Sequence, residues 1–163
     1  MISCKGRLYV FGGCDENHDE VATGEMYNPE TEEWTQVAPM KEARSYAAVS
    51  LAGGCIYLMG GSSGMSNKGG GVHFVDTVER YDPVKNTWKI MPKLPSPMCH
   101  VGAAHCGGFI YVTGGQTLVA GAKYPSISDG VIRFDPTTNA WSDMPSLMIK
   151  RSHHRVAAVR MEV

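Results

Sequence analysis

Several features that would define other classes of protein are missing from this 163-residue sequence. No stretch approaches the ~20 apolar residues that a membrane-spanning helix needs, so no such span is predicted. The 15 Lys and Arg residues nearly balance the 16 Asp and Glu residues, and a net charge of −1 argues against nucleic acid or an anionic membrane as the main partner. The opening residues, Met1 to Lys5, lack the basic and then apolar layout of a signal peptide.

Cysteine pairs with metal-ligand spacing are missing as well. The five cysteines are odd in number and include no Cys-x-x-Cys pair, so neither a disulfide framework nor a zinc site is predicted. No Asn-x-Ser/Thr acceptor for glycosylation occurs. The sequence therefore predicts reduced thiols in a cytoplasmic protein.

Tryptophan is scarce, and its three copies share one position in a repeated pattern. Trp34, Trp88 and Trp141 stand 54 and 53 residues apart. Each follows an aromatic residue by seven positions, with an Asn-Pro or Asp-Pro pair directly after that aromatic residue. Asx-Pro pairs favour tight turns, and Tyr, Phe and Trp favour strands. The pattern predicts three hairpins, each made of a strand, a turn and a second strand that begins at the tryptophan.

A second motif recurs with the same period. Three mostly apolar runs end in Gly-Gly, at Gly12-Gly13, Gly60-Gly61 and Gly114-Gly115. Runs without polar alternation indicate strands covered on both faces, and paired glycines let the backbone bend or pass close to a neighbour. The distance from each tryptophan to the next Gly-Gly is 26 residues, whereas the stretch between Gly-Gly and the aromatic residue varies in length. Hence the constant segments are predicted to be the frame and the variable stretch a loop.

A period of about 53 residues with Gly-Gly, Tyr-Asp-Pro and Trp resembles the kelch repeat of β-propellers. The resemblance covers nearly the whole chain and implies an all-β fold of four-stranded antiparallel sheets, or blades. The middle blade is expected to have strands near Ser45–Leu51, Cys55–Met59, Thr77–Tyr81 and Trp88–Met91. The repeats are predicted at approximately 1–43, 44–97 and 98–150, and residues 151–163 are predicted to form an innermost strand that closes the first blade.

Three repeats are fewer than the four to eight blades that propellers typically have. Three interpretations remain open. The chain is half or a fragment of a probable six-bladed propeller, it pairs with a second copy through its open blade faces, or it stands as an open wedge.

Function is expected in two sets of loops, because the strands of a propeller are largely packing. One set follows each Gly-Gly, at 14–23, 62–75 and 116–128, and the other precedes each innermost strand, at 38–44, 92–99 and 145–151. In the adaptors that this chain resembles, both sets line a shallow bowl that binds a protein or peptide. The candidate partner-binding residues are Arg44, Ser45, Tyr46, His73, Phe74, Met98, His100, Arg151, Ser152 and His153.

Two of these candidates suggest an acidic partner. Arg44 and Arg151 each lie ten residues after a tryptophan, and the resemblance implies that arginines at this position grip a carboxylate. The alternative is that both are solvated or bond local carbonyl groups. The middle position is Met98, which predicts an apolar sector.

The resemblance implies a protein-interaction module, like the substrate-recognition domain of Kelch-like adaptors of cullin-RING ubiquitin ligases. In those adaptors, domains absent from this chain bind the cullin. The alternatives are an actin-binding or cytoskeletal kelch protein and a kelch enzyme, such as a copper oxidase or a sugar epimerase. The bowl offers no convergent catalytic groups, so an enzyme is not predicted. No cofactor or metal is predicted either, because the acidic loop Cys14–Glu20 departs from the calcium-loop pattern and the adjacent residues His153 and His154 would point to opposite faces of a strand.

Overall fold

The structure is a computed structural model that describes residues 1–64, 73–118, 122 and 124–159. All regular structure in these residues is β-strand, and no helix there is long and apolar enough to cross a membrane. Three four-stranded antiparallel sheets, here called blades 1, 2 and 3, follow one another along the chain. The all-β fold predicted from the repeats is confirmed.

Each blade is built from two hairpins in sequence order. Blade 1 comprises β1 (Ile2–Cys4), β2 (Arg7–Phe11), β3 (Gly24–Asn28) and β4 (Glu33–Val37). Blade 2 comprises β5 (Ala48–Ala52), β6 (Cys55–Met59), β9 (Val78–Asp82) and β10 (Thr87–Met91), with the short strands β7 (Ser62–Ser63) and β8 (His73–Phe74) between its hairpins. Blade 3 comprises β12 (Gly102–Cys106), β13 (Phe109–Thr113), β16 (Val131–Asp135) and β17 (Ala140–Met144), with β11 (Met98–Cys99), β14 (Gln116–Thr117) and β15 (Ser126–Ile127) forming a small separate sheet.

The first strands of the three blades lie side by side, since β5 contacts both β1 and β12. They are therefore the innermost strands, and β4, β10 and β17 are the outermost strands. The four predicted strands of blade 2 all form. The first begins at Ala48 and not at Ser45, because Tyr46 has a positive φ of 54° that interrupts the extended backbone.

The tryptophan and the aromatic residue that precedes it fill the space between neighbouring blades. Phe11 of blade 1 lies edge-on to Tyr81 and Trp88 of blade 2, with ring centroids 5.2 and 4.9 Å apart. The indole N–H of Trp88 donates a hydrogen bond of 2.7 Å to the carbonyl of Ala38, and that of Trp141 donates one of 3.1 Å to Pro92. The expected packing of the repeated aromatics between blades is thus present for Trp88 and Trp141.

The paired glycines are required because two segments of the chain approach each other closely. Gly60 and Gly61 have φ values of 63° and 104°, which favour glycine. A Cβ atom at Gly60 would lie 2.4 Å from the carbonyl oxygen of Met98. Gly12 and Gly114 meet the carbonyls of Arg44 and Arg151 in the same way. Each Gly-Gly therefore contacts the backbone of the segment that follows the outermost strand of the same blade or leads into the next blade.

The structure corrects the prediction of a closing strand at 151–163. No strand forms over 151–159, and residues 160–163 lie outside the described part of the chain. The physical reason lies at both ends: β1 already supplies an innermost strand to blade 1, and the final segment lies against blade 3, where Val156 and His154 pack on Gly102. The boundaries proposed for the three repeats stay predictions.

Candidate partner-binding bowl

The two predicted sets of loops adjoin each other at one end of the blades. The amides of Gly13, Gly61 and Gly115 donate hydrogen bonds of 2.8–2.9 Å to the carbonyls of Arg44, Met98 and Arg151. Ser45 and Ser62 exchange two backbone hydrogen bonds, of 2.9 and 3.0 Å, within blade 2. Each loop that follows a Gly-Gly is thereby tied to a segment that leads into an innermost strand. We call this end of the molecule the bowl.

Three aromatic side chains form a row across the bowl. Tyr46, His100 and His153 occupy equivalent positions in successive repeats, and each has a positive φ of 53–59°. The amide of His100 donates to the carbonyl of Tyr46, and the amide of His153 donates to that of His100. These bonds bring the rings into contact, with centroids 4.2 Å apart for Tyr46 and His100 and 3.7 Å apart for the two histidines. The row borders an open cavity of about 520 Å³.

The surroundings of His100 favour the uncharged form of its ring. Burial lowers the pKa of His100, and the neighbouring His153 lowers it further. The ring Nδ1 of His100 lies 3.0 Å from the sulfur of Cys99, and burial raises the pKa of that thiol to about 12. Nδ1 of His153 lies 3.0 Å from the hydroxyl oxygen of Ser152. The lowered pKa favours an uncharged His100 ring near neutral pH, within a partly exposed aromatic row.

Arg44 is not part of this exposed surface, which corrects the prediction that it binds a partner. Its side chain is fully buried, and it forms a 2.9 Å ion pair with the buried Glu79 and a 3.2 Å ion pair with Glu42. It also donates hydrogen bonds to the carbonyls of Gly60 and Thr77, both at 3.0 Å. Burial lowers the pKa of the guanidinium, while the two carboxylates act in the opposite direction. Arg44 therefore holds blade 2 together, as the alternative of bonding to local groups allowed.

Met98 also turns inward, which leaves no apolar sector of the bowl at that position. It stands in blade 3 where Arg44 stands in blade 2, and Ile132 stands where Glu79 stands. Met98 and Ile132 pack against the same hydrophobic cluster. Blade 3 thus has two apolar residues at the positions that hold the buried ion pair in blade 2.

The remaining predicted residues divide between the interior and the surface. Ser45 is buried, with its hydroxyl 3.1 Å from that of Ser62. His73 is exposed and Phe74 is half-buried, and β8 holds both against β7. Arg151 is exposed and Ser152 is half-buried.

Sequence reasoning missed a group of exposed apolar residues. Many of the large apolar side chains that are exposed in the described chain lie in the loops of blade 3 that border the bowl. Their clustering on the two loop sets was the available signal. They are Leu118, Tyr124, Ile127, Met148 and Ile149.

The described residues contain no cluster of side chains suited to bind a metal ion. No group of three or more His, Cys, Asp or Glu side chains there could hold an ion. In the acidic first loop, one carboxylate oxygen of Asp15 accepts hydrogen bonds of 2.9 Å from the amides of Asn17 and Asp19. These bonds lower the pKa of Asp15 and close the turn.

Comparison with known proteins places this architecture in a family. The family model described as the KLHDC2/KLHL20/DRC7 Kelch-repeats domain matches residues 1–163. Kelch-like protein 25 of Xenopus tropicalis is 33% identical over 82% of this chain and 21% of its own length. Beta-scruin of Limulus polyphemus is 33% identical over 74% of this chain and 13% of its own length.

The solved structure of YjhT has the same fold, with a TM-score of 0.70 and 20% identity. The match covers 88% of this chain and 49% of that one. This chain therefore spans about half of the matched structure and about a fifth or less of the two curated relatives. With its three blades, their recurring Gly-Gly and Trp positions and the family match over all 163 residues, the chain belongs to the kelch-repeat family.

Proposed function

We propose that the chain is a protein-interaction module that binds a partner at the bowl. The observation that carries this proposal is the concentration of exposed apolar and aromatic side chains there. Tyr46 is 47% exposed, Met148 is fully exposed and Ile149 is 66% exposed. Clustered apolar exposure of this kind is typical of protein-binding surfaces. No enzymatic activity is part of the proposal.

The finer proposal is that the bowl recognises the substrate of a cullin-RING ubiquitin ligase adaptor, in the cytoplasm. The family match and the likeness to Kelch-like proteins support it. The domains that would bind the cullin lie outside this chain. A preference for acidic partners now rests on Arg151 alone, because Arg151 is exposed whereas Arg44 is buried.

A cytoskeletal role, such as actin binding, is the second candidate. The likeness to two scruins of Limulus polyphemus, at 33% and 30% identity, shows that kelch relatives outside the Kelch-like group are also close in sequence. The two candidates differ in the partner, not in the surface that binds it.

The test substitutes the bowl without disturbing the frame. In the full-length parent protein, Tyr46→Asn and His153→Asn are combined with Met148→Ala, since asparagine tolerates the positive φ at the first two positions. Captured proteins are quantified by mass spectrometry and compared with those of wild type. The matched control is Ile90→Ala, a 54% exposed apolar residue on the outermost strand of blade 2.

We expect the triple variant to lose at least one partner about tenfold or more and the control to retain it. Ubiquitylation of that partner by the reconstituted ligase supports the adaptor function, whereas direct binding to filamentous actin supports the second candidate. Equal capture by the triple variant and wild type would contradict binding at the bowl.

A further inference from the structure

The three residues of the aromatic row share a strained backbone conformation. Tyr46, His100 and His153 have φ values of 54°, 53° and 59°. Glycine adopts this left-handed conformation without penalty, whereas a residue with a large side chain is destabilised in it. Each of the three positions nevertheless carries a large side chain that ends in a polar group. Strain that is retained at accessible residues is typical of functional sites, so the row is a candidate for one.

Stacking covers the ring faces between neighbours in the row and leaves the ring edges. The rings of Tyr46 and His100 are tilted by 35° to each other and those of His100 and His153 by 32°. The backbone hydrogen bonds between successive members of the row fix this spacing. A further repeat would add a ring at one end of the row and would leave the edges of the existing rings accessible. The edges therefore do not depend on how many repeats surround the row.

In each imidazole of the row, one nitrogen is occupied and the other is available. Nδ1 of His100 lies 3.0 Å from the sulfur of Cys99, and Nδ1 of His153 lies 3.0 Å from the hydroxyl oxygen of Ser152. Burial raises the pKa of the Cys99 thiol to about 12, so the thiol keeps its proton and can donate a hydrogen bond to Nδ1. The proton of the neutral ring then lies on Nε2. Nε2 of neither histidine bonds to another residue in the part of the chain that the structure describes.

The cavity that the row borders favours an anion. It has a volume of about 520 Å³, and the described residues that line it include no Asp or Glu. Besides the row, the side chains lining it that are charged or can take up a proton are those of His154 and Arg155. An anionic group that enters the cavity therefore meets hydrogen-bond donors and no carboxylate that would repel it.

We propose that the edge of the row binds a phosphate group carried by the partner protein, as on phosphoserine or phosphothreonine. The Nε2–H groups of His100 and His153 and the hydroxyl of Tyr46 donate hydrogen bonds to the phosphate oxygens. A phosphate monoester has three strong acceptor oxygens for these three donors, whereas a carboxylate has two oxygens. The inference rests on the proposed function and deepens it, because it names the chemical group that the bowl recognises.

Inorganic phosphate is the probe for the site itself. Phosphorus NMR follows the line width of phosphate as the full-length parent protein is added, and we expect saturable binding. His100→Asn combined with His153→Asn should raise the dissociation constant about tenfold or more, since two hydrogen bonds to a charged group are lost. Asparagine tolerates the positive φ at both positions, and the corresponding pair of glycine substitutions should give the same loss.

The matched control is His18→Asn. His18 is an exposed histidine outside the row with a positive φ of 64°, and its replacement should leave phosphate binding unchanged. Acetate is titrated in parallel. Acetate that binds at the same histidines as tightly as phosphate would overturn the proposal, as would a wild-type protein that binds no phosphate or variants of the row that bind it undiminished.

Treatment of the cell extract with a phosphatase tests whether the partner carries the phosphate. Capture of a partner that depends on the bowl should fall about tenfold or more after this treatment, compared with a mock-treated extract. A partner that is lost by the variant of Tyr46, His153 and Met148 but is captured equally after phosphatase treatment would overturn recognition of phosphate. That result would leave binding at the bowl intact, so the two proposals fail separately.

Discussion

At the scale of single residues, one backbone position shows how far the repeats agree. The residue two before each tryptophan has a positive φ: 58° at Glu32, 52° at Asn86 and 57° at Asn139. Asparagine tolerates this conformation, whereas a longer side chain is strained in it. The oxygen of the Asn86 side chain also accepts hydrogen bonds from Tyr81 and from the amide of Ala38 in the preceding blade. Blade 1 therefore has a less suitable residue at this turn.

Replacing Glu32 with asparagine should accordingly stabilise the protein. We expect Glu32→Asn to raise the free energy of unfolding by about 0.5–1 kcal/mol, measured by denaturant titration. The reverse change, Asn139→Glu, should lower it by a similar amount. No gain from Glu32→Asn would mean that the turn does not strain this residue.

Trp88 should be among the most costly positions to truncate. Its ring contacts Phe11 and Tyr81, and its N–H is bonded to Ala38. Trp88→Ala should lower the free energy of unfolding by about 3–5 kcal/mol, because it removes aromatic packing and leaves the Ala38 carbonyl without its donor. Val84→Ala, at a 73% exposed position in the turn of the same blade, should change it little. A thermal melt of Trp88→Ala like that of wild type would refute the wedge between blades.

The aromatic row predicts a loss of stability in acid. The pKa of His100 is lowered in the folded protein, so the unfolded chain binds more protons once the pH falls below the ordinary histidine value of about 6.5. The stabilising contribution is complete above that pH and is lost as the pH falls through the lowered pKa. Because the ring is partly solvated, the effect should stay below about 1 kcal/mol. It is measured as the difference in unfolding free energy between pH 7.5 and pH 5, which should shrink in His100→Asn; an unchanged difference would contradict the assignment.

At the scale of the strands, blades 2 and 3 fill the same pair of interior positions with side chains of different chemistry. Blade 2 buries Arg44 against Glu79 between the loop that precedes β5 and the strand β9, whereas blade 3 has Met98 and Ile132 there. A buried ion pair contributes little net stability compared with apolar residues of similar volume, but losing one member is costly. The two positions are therefore coupled and should change together.

A double-mutant cycle tests this coupling. Arg44→Met alone and Glu79→Ile alone should each lower the free energy of unfolding by about 3–5 kcal/mol, since each removes one member of the fully buried ion pair. The combined variant, which copies blade 3, should cost at least about 2 kcal/mol less than the two single changes added together. Simple additivity would show that the two side chains act independently.

The same positions explain which parts of the site could be predicted. Strand identities followed from the repeated apolar runs and turns, because those features are local. The inward direction of Arg44 depends on Glu79, which lies 35 residues away, so the arginine spacing alone did not reveal it. In the sequence, Met98 and Ile132 stand at the positions equivalent to Arg44 and Glu79. This joint change from a charged to an apolar pair of positions could have indicated that Arg44 and Glu79 interact. The positive φ at Tyr46 shifted the start of β5, and no local pattern indicated it.

At the scale of the whole molecule, the sequence predicted the number of blades and their order but not how the chain ends are used. The closing strand was expected from the likeness of residues 151–159 to residues 44–49. A closing strand needs a free sheet edge, and β1 already pairs with Arg7, Leu8 and Tyr9 at the inner edge of blade 1. The sequence predicted that two loop sets meet at one end of the blades, and the exposed apolar residues lie within those loops but belong to no repeated motif.

Hydrogen exchange of the three indole N–H groups, followed by NMR, tests most directly whether the blades pack through the recurring tryptophans. Trp88 and Trp141, which are bonded to Ala38 and Pro92 of the preceding blades, should exchange slowly, while Trp34 should exchange rapidly. Three indoles that exchange equally fast would contradict the packing of the blades against one another.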